Sequence, residues 1–321
     1  GNPRGDQKFV RSVKNLELEK LTEIAVHAAR EAGQIINSYS QKEVEVECKD
    51  GGHTYASRVV TEVDRKAQDI ILSILHPTCG QSDLALLTEE HEDDHSRFEK
   101  EYFWCIDPLD GTLPFTQKEA GYSVSIALVA NNGSPEIGVV YDPVSEILWQ
   151  ATKGLGVKRN DQAWEIQKLK DELVFTYDRS FEKHPQRSRV LEELNAYARA
   201  HGLNKVHAIQ YGGAVLNACY ALENAPGCHF KFAKPEEGGG SIWDYAATAC
   251  LFQESGAVVN DVHGKPLDLN RSDSTFMNHR GAIYATDQIL ASAIKNILGK
   301  LNKIIIEQFF LHLLCSLISE T

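Results

Sequence analysis

Two periodicities alternate along this chain, and the switches between them outline its architecture. Leu18, Leu21, Ala25, Ala28, Ala32 and Ile36 recur at three- and four-residue spacing, which predicts an amphipathic helix over about residues 16–39. A second helical pattern runs through Ala67, Ile70, Ile71, Ile74 and Leu75, behind the stretch Val59-Val60-Thr61-Glu62-Val63-Asp64. Leu84-Ala85-Leu86-Leu87 reads as a short strand ending on Thr88-Glu89-Glu90, and Tyr102-Phe103-Trp104-Cys105-Ile106 as a buried one. Residues 122–129, 136–141 and 147–151 alternate or run apolar between turn residues and predict an antiparallel meander, which Gly154-Leu155-Gly156 continues. A Gly-x-Gly without its third glycine is no nucleotide fingerprint. Lys49-Asp50-Gly51-Gly52 reads as a mobile loop.

After about Lys168 the pattern changes. Leu173-Val174-Phe175 predicts a strand, 188–200 and 214–222 predict helices, and 230–232 and 257–259 further short strands. Ser241-Ile242-Trp243-Asp244-Tyr245-Ala246-Ala247 opens another helix, with Asp244 in its first turn. Runs of strands mixed with layered helices make the chain α/β, and it has no internal repeat. The expected organisation is a processing remnant or disordered stretch over 1–8, an N-terminal α+β half over 9–165, a C-terminal α/β half over 166–300 and an apolar helical tail over 301–321.

Chemistry concentrates in Asp107-Pro108-Leu109-Asp110-Gly111-Thr112, two carboxylates and a hydroxyl directly after a buried strand. Pro and Gly predict that the strand stops here and presents both acids at its carboxyl end. Carboxylates this close repel unless a cation lies between them, and hard oxygen ligands suit Mg²⁺. The amides of Gly111 and Thr112 could cradle an anion. Taken alone, an Asp-Pro…Asp-Gly stretch also reads as a surface turn. Asp64, Glu89 with Glu90, and Asp244 add acids at three other places beside apolar elements, as a multi-metal site requires.

The order Val-Thr-x-x-Asp, Glu-Glu, Asp-Pro-Leu-Asp-Gly-Thr, Trp-Asp-x-Ala-Ala resembles the inositol monophosphatase superfamily of Mg²⁺-dependent, lithium-sensitive phosphatases, which includes the 3′(2′),5′-bisphosphate nucleotidases. The resemblance runs from about Leu16 to about Leu298 and implies a layered αβαβα sandwich. It implies two or three Mg²⁺ ions. Glu89, Asp107 and the Leu109 carbonyl resemble the ligands of the first, Asp107, Asp110 and Asp244 those of the second, with Glu89 assisting a third through water. Asp64 and Thr112 resemble the pair that activates the attacking water, with Glu89 sharing its proton, and the Gly111 and Thr112 amides resemble the phosphate cradle. Gly213-Ala214 resembles the segment lining the alcohol side of the pocket. Glu237, seven residues before Asp244, stands where inositol monophosphatases carry a glutamate that binds sugar hydroxyls. A carboxylate there suits a small phosphorylated polyol such as inositol monophosphate and disfavours a second phosphate. Lys231, Lys234 and the glycines of Gly238-Gly239-Gly240 point the other way, to adenosine 3′,5′-bisphosphate, as does Glu119-Ala120-Gly121-Tyr122. A catalytically inactive binding protein is the non-enzymatic alternative.

The remaining features bear on context. At 321 residues, 42% hydrophobic and 24% charged, the chain can bury a large core, and its net charge of -12 with no basic stripe argues against a nucleic-acid polymer as partner. Seven scattered cysteines without a CxxC pair, and no visible signal peptide, predict free thiols in a cytoplasmic protein. His91-Glu92-Asp93-Asp94-His95 formally matches the zinc-protease pattern, but no apolar periodicity supports the helix that motif needs, and a solvated acidic loop is expected. The apolar tail between Ile304 and Ile318 is too short and too interrupted for a membrane span. It predicts a helix buried against the body or against a second subunit of a homodimer.

Overall fold

The stripe Leu18, Leu21, Ala25, Ala28, Ala32 and Ile36 is buried along its whole length. The computed structural model describes residues 3–40, 55–168 and 171–319, with side chains described over 17–40, 59–168 and 171–303, so segment 49–52 and the side chains of the apolar tail lie outside. Helix α1 spans Pro3–Ser40 and begins well ahead of the expected residue 16. Small residues Ala25, Ala28, Ala29 and Ala32 let it lie close to α2, Tyr55–Ser82. The segment Val59 to Asp64 lies inside α2 rather than ahead of it. Its β-branched residues are weak helix formers, but Val63, Ala67, Ile71 and Leu75, four apart and all fully buried, give the helix a face whose burial decides the matter.

Seven strands form the first sheet in chain order: β1 (Ala85–Thr88), β2 (Tyr102–Asp110), β3 (Ser123–Ala130), β4 (Pro135–Asp142), β5 (Ile147–Thr152), β6 (Gly156–Arg159) and β7 (Gln162–Trp164). Only the β1–β2 pair is parallel; the rest is the expected meander. The short helix α3, Thr112–Thr116, connects β2 to β3. The second sheet holds β8 (Glu172–Thr176), β9 (Lys205–Ile209), β10 (Gly227–Lys231), β11 (Val258–Asn260) and β12 (Ala282–Ala285), in the order β11-β12-β10-β8-β9. Helices α4 (Arg187–Ala200), α5 (Ala214–Glu223), α6 (Ile242–Glu254) and α7 (Gln288–Ser319) complete the chain.

Strand alternation assigns the layers. On β2, Trp104 and Ile106 join α1 and α2 in one core, while Phe103 and Cys105 face α5 and α6 in another. On β12, Ala282 and Tyr284 reach that second core, whereas Ile283 and Ala285 face α4 and α7 in a third. The stack is therefore α1/α2, sheet, α5/α6, sheet, α4/α7: the αβαβα sandwich.

The central helix layer sits close on the first sheet because of Gly138. A Cβ there would collide with the Ala247 carbonyl of α6 and stand 2.8 Å from the Cys250 Cβ. Gly138→Ala is expected to push α6 outward and cost about 1–3 kcal/mol, read as a lower urea midpoint at unchanged slope. Since α6 carries Asp244, activity should fall with it.

Candidate active site

Strand β2 does not stop at Pro108. It runs through to Asp110, and its pairing with β3 shifts from Asp107↔Ser125 to Asp110↔Ser123. Between those pairs Pro108 and Leu109 on β2 oppose Val124 alone on β3, a bulge that accommodates a proline with no N–H to give the ladder. The bulge has a chemical consequence. Residues three apart on a regular strand face opposite ways, but the extra residue turns Asp107 and Asp110 to the same side. The Leu109 N–H donates to Asp107 Oδ1 at 3.0 Å and fixes the bulge. Both acids, expected beyond the strand end, are buried within its last turn of pleat.

Asp244 completes the cluster. It occupies the first turn of α6, and one carboxylate oxygen accepts the Ser241 N–H at 2.8 Å, closing a capping box at the helix start. Asp107, Asp110 and Asp244 each offer an oxygen, and the three lie within 4.8 Å of one another. Asp110 Oδ2 also accepts the Val215 N–H of α5 at 3.0 Å. That approach depends on Gly213, where a Cβ would overlap the Asp110 carboxylate. Gly213 donates to the Gly121 carbonyl at 2.8 Å, and Gly111, Gly121 and Gly212 pack backbone on backbone beside it.

Glu89 arrives through the parallel β1–β2 register, in which Thr88 pairs with Ile106 and the next residues, Glu89 and Asp107, fall side by side. The Glu89 N–H donates to the Ile106 carbonyl at 3.2 Å. Much of the residue is exposed, yet its carboxyl turns inward and shares a hydrogen bond with Asp107. Desolvation, then the neighbouring acids, raises the carboxyls of Asp107, Asp110 and Glu89 above their ordinary range. Asp64 on α2 is buried, and desolvation with the charges of Glu90 and Glu89 lifts it to about 8. Its Oδ1 is buried with no hydrogen-bond partner. So many acids driven toward their neutral form describe a site short of positive charge.

The other expected residues divide. Gly111 caps α3 with φ 81°, Thr112 begins it, and α3 packs beside α2, the helix of Asp64. Among the described residues no hydrogen bond joins Asp64 to Thr112. Ala214 begins α5 next to Asp110. Glu237 sits on an exposed loop, where Ser274 donates to its Oε1 at 3.1 Å. Lys231 is already engaged, with its ammonium 2.7 Å from Asp178 Oδ2 and donating to the Gly239 carbonyl at 2.9 Å. The His91–His95 stretch forms no helix: Asp93 accepts the buried Arg97 Nε at 2.9 Å, Asp94 accepts the Ser96 N–H, and His95 takes φ 64°. The two imidazoles therefore share no helix face, and the zinc-protease geometry is absent.

Asp178 and Asn217 were not among the expected site residues. Asp178 closely follows β8, as Asp107 does a buried run on β2; an acid just after an apolar strand was the signal available for it.

The family model described as the inositol monophosphatase family matches residues 17–301. Inositol monophosphatase 2 of Rattus norvegicus is 30% identical over 256 residues, 77% of this chain and 81% of the relative. The 3′(2′),5′-bisphosphate nucleotidase CysQ of Shigella flexneri is also 30% identical, over 223 residues, 68% of this chain and 82% of the relative. The solved structure of inositol monophosphatase from Anabaena shares the fold, with a TM-score of 0.64 at 24% identity over 88% of this chain and 97% of that one. The five described cysteines are free, and no helix among the described residues is long and apolar enough to cross a membrane. A bulged strand and a capped helix bringing three carboxylates together, inside an αβαβα stack matched along nearly its whole length, lead to one conclusion: the chain belongs to the inositol monophosphatase family of phosphatases.

Proposed function

We propose that the protein is a Mg²⁺-dependent phosphomonoesterase that hydrolyses a small phosphorylated polyol such as inositol monophosphate. The observation that carries this reading is the convergence of Asp107, Asp110 and Asp244 within 4.8 Å. Oxygens on opposite sides of an ion bonded at about 2.1 Å lie about 4.2 Å apart, so small side-chain adjustments let these carboxylates share a cation. The donor set is all hard oxygen, and the carbonyl of Leu109 and the carboxylate of Glu89 extend it toward a second or third ion. The orphaned Asp64 Oδ1 supports the same reading, since a buried polar atom without a partner in the protein suits a bound water.

Mg²⁺ bound there would neutralise phosphoryl oxygens, lower the pKa of a bound water and stabilise the charge on the departing ester oxygen. The protein's own groups do the rest. Asp64 and Thr112 orient the attacking water and, with Glu89, accept its proton. The Gly111 and Thr112 amides hold the phosphate. Gly213 and Ala214 form the wall beside the alcohol, and the Glu237 carboxylate accepts hydrogen bonds from its hydroxyls. Positioning and charge neutralisation supply most of what phosphoryl transfer needs.

The Lys231 contacts favour a polyol over a second phosphate. An ammonium already balanced by Asp178 adds no net charge to attract one. The 30% identity to the CysQ nucleotidase supports the second reading, adenosine 3′,5′-bisphosphate. Phosphate release from inositol 1-phosphate and adenosine 3′,5′-bisphosphate, measured side by side at millimolar Mg²⁺, separates them. The polyol is expected to win by at least about tenfold in kcat/KM, some 1.4 kcal/mol in the transition state. The reverse ratio would assign the nucleotidase activity, and no release from either would favour a binding protein.

A further inference from the structure

A chain of polar contacts runs from the central helix layer to the loop before α6 and ends against Asp244 without including any proposed metal ligand along the way. It starts at Asn217 of α5, fully buried, whose Oδ1 accepts the N–H groups of Tyr211 and Gly212 at 3.0 Å each. Asn217 Nδ2 reaches the Tyr177 carbonyl at 3.2 Å and Asp178 Oδ1 at 3.5 Å. Asp178 Oδ2 holds Lys231 at 2.7 Å, and Lys231 donates to the Gly239 carbonyl at 2.9 Å. The same carbonyl accepts the Tyr245 hydroxyl at 2.6 Å, so two donors from different elements pin one peptide.

That peptide opens the turn that sets Asp244. Gly238, Gly239 and Gly240 have φ of 124°, 74° and 97°, a path that only glycine follows without strain. A Cβ on Gly240 would stand 3.1 Å from Asp244 Oδ2, so the turn lies directly on that carboxylate. The next residue, Ser241, donates its N–H to the same oxygen. A three-glycine turn left to itself is the least rigid backbone available, yet here it fixes the rotamer of an acid in the cluster. Side chains are 15% exposed at Lys231 and 25% at Asp178, burial enough for the pair to be held firmly. Each partner stabilises the other's charge against the desolvation that opposes it.

We propose that the Asp178–Lys231 pair, through Gly239, is a positioning device that holds Asp244 in its cation-binding orientation. This rests on the metal reading above. The test uses the full chain without substrate and reads the Mg²⁺ concentration at which thermal stabilisation is half complete. Asp178→Asn with Lys231→Met removes the strut while leaving net charge unchanged, so long-range attraction for the cation is matched. The midpoint is expected to rise about tenfold, in the range found when groups supporting metal ligands are removed. Tyr245→Phe, which deletes one hydroxyl and no charge, guards against misfolding of the double variant and should raise the midpoint about two- to threefold. A lowered metal-free melting temperature with wild-type midpoints in both variants would make the pair structural only and overturn the inference. If the wild-type chain itself shows no stabilisation by Mg²⁺, the metal reading fails and takes this one with it.

Discussion

Asp107→Asn is expected to lower kcat by at least about a thousandfold, roughly 4 kcal/mol of transition-state stabilisation, while leaving the fold intact. Asp107 is the acid on which the others converge: Asp110 and Asp244 offer oxygens within 4.8 Å, and Glu89 shares a hydrogen bond with it. Asparagine is nearly the same shape. Its Oδ1 can still accept the Leu109 N–H that holds the β2 bulge, so the backbone has no reason to move. What disappears is one charge and one carboxylate oxygen at the centre of the acidic cluster. The same charge is costly without a cation, because burial and then Glu89, Asp244 and Asp110 all oppose its ionisation. The metal-free variant should therefore melt at or above the metal-free wild type, while Mg²⁺ stabilises it far less. Phosphate release over a Mg²⁺ titration, beside thermal unfolding with and without the ion, checks both halves. Retained turnover would remove Asp107 from the site, and a lowered metal-free melting temperature would show that the substitution had damaged the fold instead.

Most of the architecture was legible because it rests on periodicity. The alanine stripe of α1, the β3–β5 meander and the α5 and α6 helices all bury the residues their spacing marks. What escaped were strands with a weak or very short local signal, together with the start of α7 at Gln288. β9, with the residues Lys205-Val206-His207-Ala208-Ile209, is an edge strand that is partly exposed, and its existence depends on pairing with β8. β12 and β7 are three- or four-residue strands too short to show a period. The acids were found as residue types in order, but their convergence was not written in any local pattern. Pro108 suggested a strand end, whereas the structure uses it in a bulge that turns Asp107 and Asp110 to one side. Gly213 is a similar case: in the chain it is one of two adjacent glycines, and only the packed structure shows a carboxylate where its side chain would be. The Asn217–Asp178–Lys231–Gly239 chain links four separated segments through hydrogen bonds, which sequence spacing does not encode.

Metal-free protein is expected to lose stability as pH rises from 5 to 8, with Asp64 the source that can be isolated. Its carboxyl is buried and held at about 8 against an ordinary value of 3.8, by desolvation first and then by Glu90 and Glu89. Over that window the native state keeps a proton that the unfolded chain has already released. Folded protein binding more protons means stability falling with pH. At 1.36 kcal/mol per unit the loss from this one group is on the order of 4 kcal/mol between pH 5 and 8, about 10 °C in melting temperature at roughly 2–4 °C per kcal/mol. Asp107, Asp110 and Glu89 are raised by burial and push the same way. His184, His229 and His279, held below their usual range by burial, push oppositely as pH passes their ordinary value. Asp64→Asn retains those histidines, so the informative quantity is the wild type measured against that variant. The wild type should fall relative to Asp64→Asn as pH rises, and saturating Mg²⁺ should stabilise the wild type more at pH 8 than at pH 5, since the cation replaces protons that the acids otherwise hold. Parallel wild-type and variant curves across this range would mean that Asp64 ionises normally and that burial does not hold its proton in the folded chain.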